Sequence, residues 1–166
     1  MFPSKLRCGA LTLGGVLACA IAQTAGAQLL NHKDLSASMA ITIAQTAIET
    51  CKANGYAVSA TVVGRNGEII VQVRGDNTGP HTLENSMRKA YTARTFRMTT
   101  EEFAKVLEQN PVRRPQTTLP SVIAIPGGVP IKVGKDVIGG VGLSGSPGVD
   151  EPCVMAGMDK VKDQLR

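Results

Sequence analysis

The sequence predicts an α/β (α+β) domain in which helices pack on a mainly antiparallel sheet of roughly five strands. Short β-branched runs separated by glycine-containing turns indicate strands joined by hairpins. Other segments carry apolar residues at three- and four-residue spacing, which is typical of amphipathic helices. The predicted order is α-β-β-α-α-β-β-β-α. Because hairpins join neighbouring strands in opposite directions, we expect the sheet to be largely antiparallel.

The first predicted helix runs from Leu35 to Asn54. Ser36 is suited to the N-cap, and Gly55 follows the helix as a residue tolerant of positive φ. The residues of its apolar face are Ala40, Ile43, Ala44, Ala47, Ile48 and Cys51. This spacing directs Cys51 toward the core.

A hairpin and two helices follow the first helix. The strands Tyr56–Val63 and Glu68–Arg74 flank Gly64-Arg65-Asn66-Gly67, in which Asn-Gly is a strong hairpin signal. Helices are predicted over Thr82–Phe96 and Thr99–Gln109, and the second begins with threonines suited to capping it.

The second half of the chain is predicted to be mainly strands. A polar, proline-containing loop, Arg113–Pro120, precedes the predicted strands Val122–Ile125, Val129–Val133 and Val137–Leu143. Asp150-Glu151-Pro152 opens the final helix, because proline is well tolerated in a first helical turn.

Residues 1–27 have the features of a cleaved secretory signal peptide. A basic start precedes the apolar run Leu11–Ala22, which is too short to span a bilayer, and Ala25-Gly26-Ala27 matches a cleavage site. The alternative is an uncleaved anchor. We expect an exported protein, periplasmic or extracellular, whose mature form is a single domain over 28–166 with no membrane span.

Composition excludes some functions. The formal net charge of +5 falls to +3 without Lys5 and Arg7 of the signal peptide. Tryptophan is absent and no dense Lys/Arg run occurs, so a nucleic-acid partner is not expected. Cys51 and Cys153 remain in the mature chain; they form either one disulfide, as an oxidising compartment favours, or two buried free thiols.

One constellation of residues has the chemistry of a binding site. His81 lies at a helix start, Glu84 one turn later, Arg88 two turns later on the same side, and Lys89 and Tyr91 follow. A neutral imidazole can bind haem iron, whereas arginine and lysine pair with carboxylates such as haem propionates. The alternative is that His81 only caps the helix or donates one surface hydrogen bond.

Four segments of the sequence form a set of motifs: Leu35–Ile70, Arg88–Ala93, Pro126–Gly145 and Asp150–Asp159. As a set they resemble the GlcG/HbpS family of haem-binding proteins. Arg88–Ala93 (RKAYTA) resembles the KAYTA helix of that family, and Leu35–Ile70 resembles its first helix and hairpin, with Gly64 in place of the usual aspartate. Pro126–Gly145 resembles its glycine-rich segment, and Asp150–Asp159 its final helix. The resemblance implies a mixed α/β fold, also seen in the C-terminal domain of PduO-type corrinoid adenosyltransferases, together with homo-oligomers and haem binding.

Our interpretation is an exported, homo-oligomeric haem-binding protein in haem or iron handling or sensing, with haem at or near a subunit interface. His81 is the expected axial ligand of the iron, and Arg88, Lys89 and Tyr91 are further expected haem contacts. No catalytic residue is assigned, and a binding protein is favoured over an enzyme. One alternative binds a small organic acid in a pocket lined by strand 137–145, with Ser144 and Arg88. The other is a structural interaction module without a ligand.

Overall fold

The computed structural model describes residues 28–166, so the predicted signal peptide, 1–27, lies outside the described residues. Residues 32–166 form one compact unit with helices packed on an antiparallel sheet, which confirms the predicted fold class. Residues 28–31 contain neither helix nor strand. Across 28–166, no helix has the length and apolar character needed to cross a membrane.

The chain alternates helices and hairpins in the predicted order, apart from one strand. The elements are α1 (Ala37–Ala53), β1 (Ser59–Val63), β2 (Ile69–Val73), α2 (Thr82–Phe96), α3 (Thr100–Gln109), β3 (Gly128–Val133), β4 (Asp136–Ser144) and α4 (Asp150–Val161). The loop predicted after α3 is instead wound into a 3₁₀ helix, Pro111–Thr118, and a shorter one, Lys162–Gln164, follows α4.

The described sheet has four strands in the order β2-β1-β4-β3, with every neighbouring pair antiparallel. The expectation of about five strands was therefore wrong by one. All five residues of β1 are buried because β1 is central and covered on both faces, whereas β2 lies at an edge and is largely exposed.

The missing strand is Val122–Ile125. Ser121 adopts a left-handed conformation (φ 63°) directly before it. The guanidinium of Arg88 then donates to the carbonyl oxygen of Val122 over 2.8 Å, and the amide of Ile123 donates to the Thr92 hydroxyl over 2.9 Å. Side chains of α2 therefore bind the backbone groups that a neighbouring strand would have paired.

The helices cover opposite faces of the sheet. Ala60 and Val62 of β1 belong to the main hydrophobic core, which includes the buried faces of α1 and α4. Because successive strand residues point to opposite faces, Thr61 points the other way, and its hydroxyl lies 2.7 Å from that of Ser86 on α2. Phe103, Leu107 and Val122 form a second, smaller core beside α2.

A disulfide joins α1 to α4. Cys51 and Cys153 are bonded, with their Cα atoms 5.6 Å apart, so the question that the sequence left open is answered in favour of the bridge. Both side chains are buried. The bridge therefore fixes the two helices that cover the same face of the sheet.

Glycines of β4 let α2 lie directly on the sheet. A Cβ at Gly140 would collide with the carbonyl oxygen of Ala90, and one at Gly142 with that of Ser86. The space beside these glycines of β4 is therefore occupied by the backbone of α2. This corrects the alternative in which the strand lines a ligand pocket with Ser144, which is itself buried.

Candidate functional site

The turn that leads into α2 is held by its own side chains. The Thr78 hydroxyl donates to the carbonyl oxygen of Gly75 over 3.0 Å, and the guanidinium of Arg74 donates to the Thr78 carbonyl oxygen, also over 3.0 Å. Asn77 adopts φ 60°, a conformation that asparagine tolerates better than most residues. The start of α2 is thus positioned by a compact, hydrogen-bonded turn.

His81 occupies the N-cap position of α2 and is exposed. Its side chain makes no capping hydrogen bond, and it has no hydrogen-bond partner among residues 28–166. The imidazole lies against Gly79, where a Cβ would come within 3.0 Å of Nδ1. His81 is therefore at the predicted place, but it does not perform the capping role that was the alternative interpretation.

Arg88 lies two turns beyond His81 on the outward side of α2. One of its guanidinium nitrogens is 3.8 Å from a carboxylate oxygen of Glu84, and its side chain is 30% exposed. Another nitrogen donates to Val122, as described above. The helix thus brings His81, Glu84 and Arg88 to one side, as the seven-residue spacing predicts.

Tyr91 is half-buried against the second core. Its side chain packs against the cluster of Phe103, Leu107 and Val122, and its ring lies over Gly67 of the β1–β2 turn, where a Cβ would lie 2.7 Å from the ring. The ring therefore contributes chiefly to packing between α2, α3 and the hairpin.

Lys89 lies inside the fold rather than on the side occupied by His81. Its ammonium donates to Asp150 Oδ2 over 2.6 Å and to the carbonyl oxygen of Leu143 over 2.9 Å. The side chains of Lys89 and Asp150 are only 3% and 6% exposed. Asp150 Oδ1 in turn accepts from the amide and the hydroxyl of Ser146. The Lys89 ammonium is thus already bonded to groups of its own chain.

A separate cleft opens between α1 and the edge strand β2. It has a volume of about 620 Å³, within the range of small-molecule sites. Its apolar lining consists of Ile41, Ile48, Tyr56 and Val73. Its charged lining consists of Glu49, Lys52, Arg74 and Asp76. The turn before α2 contributes Arg74 to the lining, but His81 does not line the cleft.

Acidic side chains line a smaller cleft of about 360 Å³ at the start of α4. Burial raises the pKa of the Glu151 carboxyl above its ordinary value, although two backbone amides, those of Gly127 and Glu101, donate weakly to it. Within residues 28–166, no three His, Cys, Asp or Glu side chains are grouped closely enough to hold a metal ion.

Sequence patterns missed the partner of Lys89. Asp150 was expected only to open α4, and it does occupy the first position of that helix. The two residues are 61 positions apart, so no local pattern links them. The one available signal was the position of Lys89 on the buried side of α2, since a buried lysine requires a partner.

Comparison with known proteins identifies relatives over most of the chain. The family model described as "Haem degrading protein HbpS-like" matches residues 35–159. Protein GlcG of Escherichia coli strain K12 is 32% identical over 110 residues, which are 66% of this chain and 81% of that protein.

Solved structures share the fold. A double mutant of HbpS from Streptomyces reticuli has a TM-score of 0.77 and 33% identity over 82% of this chain and 92% of that one. A PduOC:haem complex has a TM-score of 0.68 over 75% of this chain and 93% of that one; at 22% identity, it supports the fold alone. With the family model spanning α1 to α4, the chain belongs to the HbpS-like family, which includes the GlcG proteins.

Proposed function

We propose that this protein binds haem, with His81 as the axial ligand of the iron. The observation that carries the proposal is the His81 imidazole, which is exposed and makes no hydrogen bond within the described chain. A neutral imidazole nitrogen with a free lone pair is a common haem ligand. The HbpS-like family and the haem complex of a protein with the same fold support haem as the bound molecule.

Other residues on and beside α2 suit the remaining parts of a haem. Arg88 is partly exposed on the same side of α2 and can pair with a propionate. Arg88 also binds the carbonyl oxygen of Val122, and on either side of Val122 the apolar side chains of Leu119 and Ile125 are exposed, which suits a porphyrin face. Tyr91 would contribute through the edge of its half-buried ring.

Lys89 is left out of the proposed contacts. Its ammonium is buried and already bonded to Asp150 and Leu143, so pairing with a propionate would require breaking an internal ion pair. Removing one member of such a pair leaves a buried charge uncompensated, at a cost of about 3–5 kcal/mol.

The wider proposal is an exported, oligomeric protein in haem or iron handling or sensing. The basic, apolar and small-residue pattern of 1–27 supports export to the periplasm or the exterior. The disulfide between Cys51 and Cys153 suits an oxidising compartment. The alternative of a small organic acid is less supported, because the backbone of α2 fills the proposed pocket.

Haemin titration followed by absorbance tests the proposal. We expect a saturable Soret shift with the wild-type protein, a much smaller one with His81→Ala, and weaker binding with Arg88→Ala. His32→Ala is the matched control, since His32 is the chain's other histidine and is also exposed.

The two parts of the proposal fail separately. If the wild-type protein gives no saturable shift, haem binding is wrong. If His81→Ala leaves the spectrum unchanged, haem binding stands but another side chain holds the iron.

A further inference from the structure

The two edge strands of the sheet differ in how well they are protected against pairing with another chain. β3, at one edge, contains Pro130, which lacks an N–H, exposes Lys132, and carries a register shift between Ile131 and Lys132. Proline, lysine and bulges are features by which sheets prevent pairing with another chain. β2, at the other edge, has the sequence IIVQV, with no proline and no charge.

The apolar side chains of β2 are also exposed. Ile69 is 51% exposed and Val73 38%, and Ile41 of α1 beside the strand is 48% exposed. The cleft of about 620 Å³ between α1 and β2 continues this apolar surface. An open, unpaired strand edge beside an apolar surface is a site for strand addition.

The sequence of this edge is complementary to itself. Residues 68–74 read Glu-Ile-Ile-Val-Gln-Val-Arg, so an antiparallel copy centred on Val71 places Glu68 opposite Arg74. The same register places Ile69 opposite Val73. Both charged side chains are exposed. Within the described chain, Glu68 Oε2 accepts from the amide of Asn66, and Nε and Nη2 of Arg74 donate to Thr78, so each side chain keeps one atom, Glu68 Oε1 or Arg74 Nη1, for a partner.

We propose that β2 pairs antiparallel with β2 of a second copy of this chain, with Val71 on the two-fold axis. The four-stranded sheet then continues across both copies as eight strands, and two Glu68–Arg74 pairs close the ends of the interface. The contact is isologous, as in most homodimers. Cross-strand ion pairs and apolar pairs both stabilise antiparallel strands, so one register satisfies the charged and the apolar residues together.

The mass of the full-length protein, measured by analytical ultracentrifugation, is the first test. We expect the wild-type chain to be at least a dimer, and Ile69→Lys to yield a smaller species. Met155→Lys on α4 is the matched control, because Met155 is 48% exposed but lies away from β2, and it should keep the wild-type mass. A monomeric wild-type chain, or an Ile69→Lys variant of wild-type mass, overturns the proposal.

A charge exchange tests the register. Glu68→Arg and Arg74→Glu each place like charges opposite one another at both ends of the strand pair. Each should raise the dimer dissociation constant roughly 5–30-fold, while the double variant restores it. Circular dichroism establishes that each variant is folded.

Failure of the double variant to recover the affinity of the wild type overturns the proposed register. Haemin titration of Ile69→Lys keeps this inference separate from the proposed function, because Ile69 belongs neither to the proposed haem contacts nor to the turn that positions His81.

Discussion

Lys89 and Asp150 form a buried ion pair that ties the middle of α2 to the first residue of α4, with Nζ and Oδ2 2.6 Å apart. Because both groups are enclosed, removing either charge leaves the other without compensation. We expect Lys89→Met or Asp150→Asn to lower the free energy of unfolding by about 3–5 kcal/mol. Denaturation by guanidinium chloride measures it.

The control for this prediction is the ion pair between Lys105 and Glu101, whose side chains are 60% and 48% exposed. Lys105→Met should lower the free energy of unfolding far less than Lys89→Met does, since exposed pairs contribute little. Equal effects of Lys89→Met and Lys105→Met would contradict the role assigned to the buried pair.

The disulfide gives a second prediction. Cys51 and Cys153 are 102 residues apart, and bridging so long a segment restricts the unfolded chain strongly. Replacing both by alanine should lower the free energy of unfolding by roughly 2–5 kcal/mol. Peptide mapping after thiol labelling of denatured, unreduced protein should find both cysteines unlabelled, and labelled Cys51 would refute the bridge.

The packing of α2 on β4 gives a third prediction. Gly142→Ala would press a methyl group into the backbone of α2 at Ser86 and Ala90, so the helix would have to move away from the sheet. We expect a loss of about 3 kcal/mol in the free energy of unfolding, at the upper end for overpacking.

Gly55→Ala is the comparison for Gly142→Ala. Gly55 has open space around it, and its φ of 83° alone opposes the substitution. It should cost about 1 kcal/mol. If the two glycine variants were equally stable, the close approach of α2 to β4 would not be a significant constraint.

Local patterns predicted most of the fold. The periodicity of α1, the capping threonine of α3 and the Asn-Gly turn between β1 and β2 depend on neighbouring residues, and each lies where it was predicted. Val122–Ile125 was predicted wrongly because its β-branched composition satisfies strand propensity, whereas its backbone partners come from Arg88 and Thr92, about 30 positions earlier.

The candidate site was predictable only along the helix itself. The spacing of His81, Glu84 and Arg88 on one side of α2 follows from helix geometry. The inward position of Lys89 also follows from that geometry. Because Lys89 belongs to the KAYTA motif, however, it was predicted to be a haem contact together with Arg88 and Tyr91. Its partner Asp150 is supplied by tertiary packing, which sequence periodicity does not contain.

Glu151 gives a prediction about pH. Burial raises the pKa of its carboxyl in the folded state, and the nearby carboxylates of Glu101 and Glu102 act in the same direction. The folded protein therefore holds this proton to higher pH than the unfolded chain does, so this group lowers stability as pH rises from about 4.5, the ordinary value, through the raised pKa. Below about pH 4.5 the Glu151 carboxyl is protonated in both the folded and the unfolded states, so it does not lower the stability there.

Glu151→Gln removes the titration but keeps a side-chain oxygen that can accept from Gly127 and Glu101. The difference in free energy of unfolding between Glu151→Gln and the wild type should therefore shift in favour of the variant as pH rises from about 4 to about 7. Glu108→Gln, at an exposed position near the end of α3, controls for the loss of one negative charge. Urea denaturation at a series of pH values measures both. A difference that is constant with pH would show that folding leaves the pKa of Glu151 unchanged, and one that shifts toward the wild type would show that folding stabilises the carboxylate; either result contradicts the raised pKa.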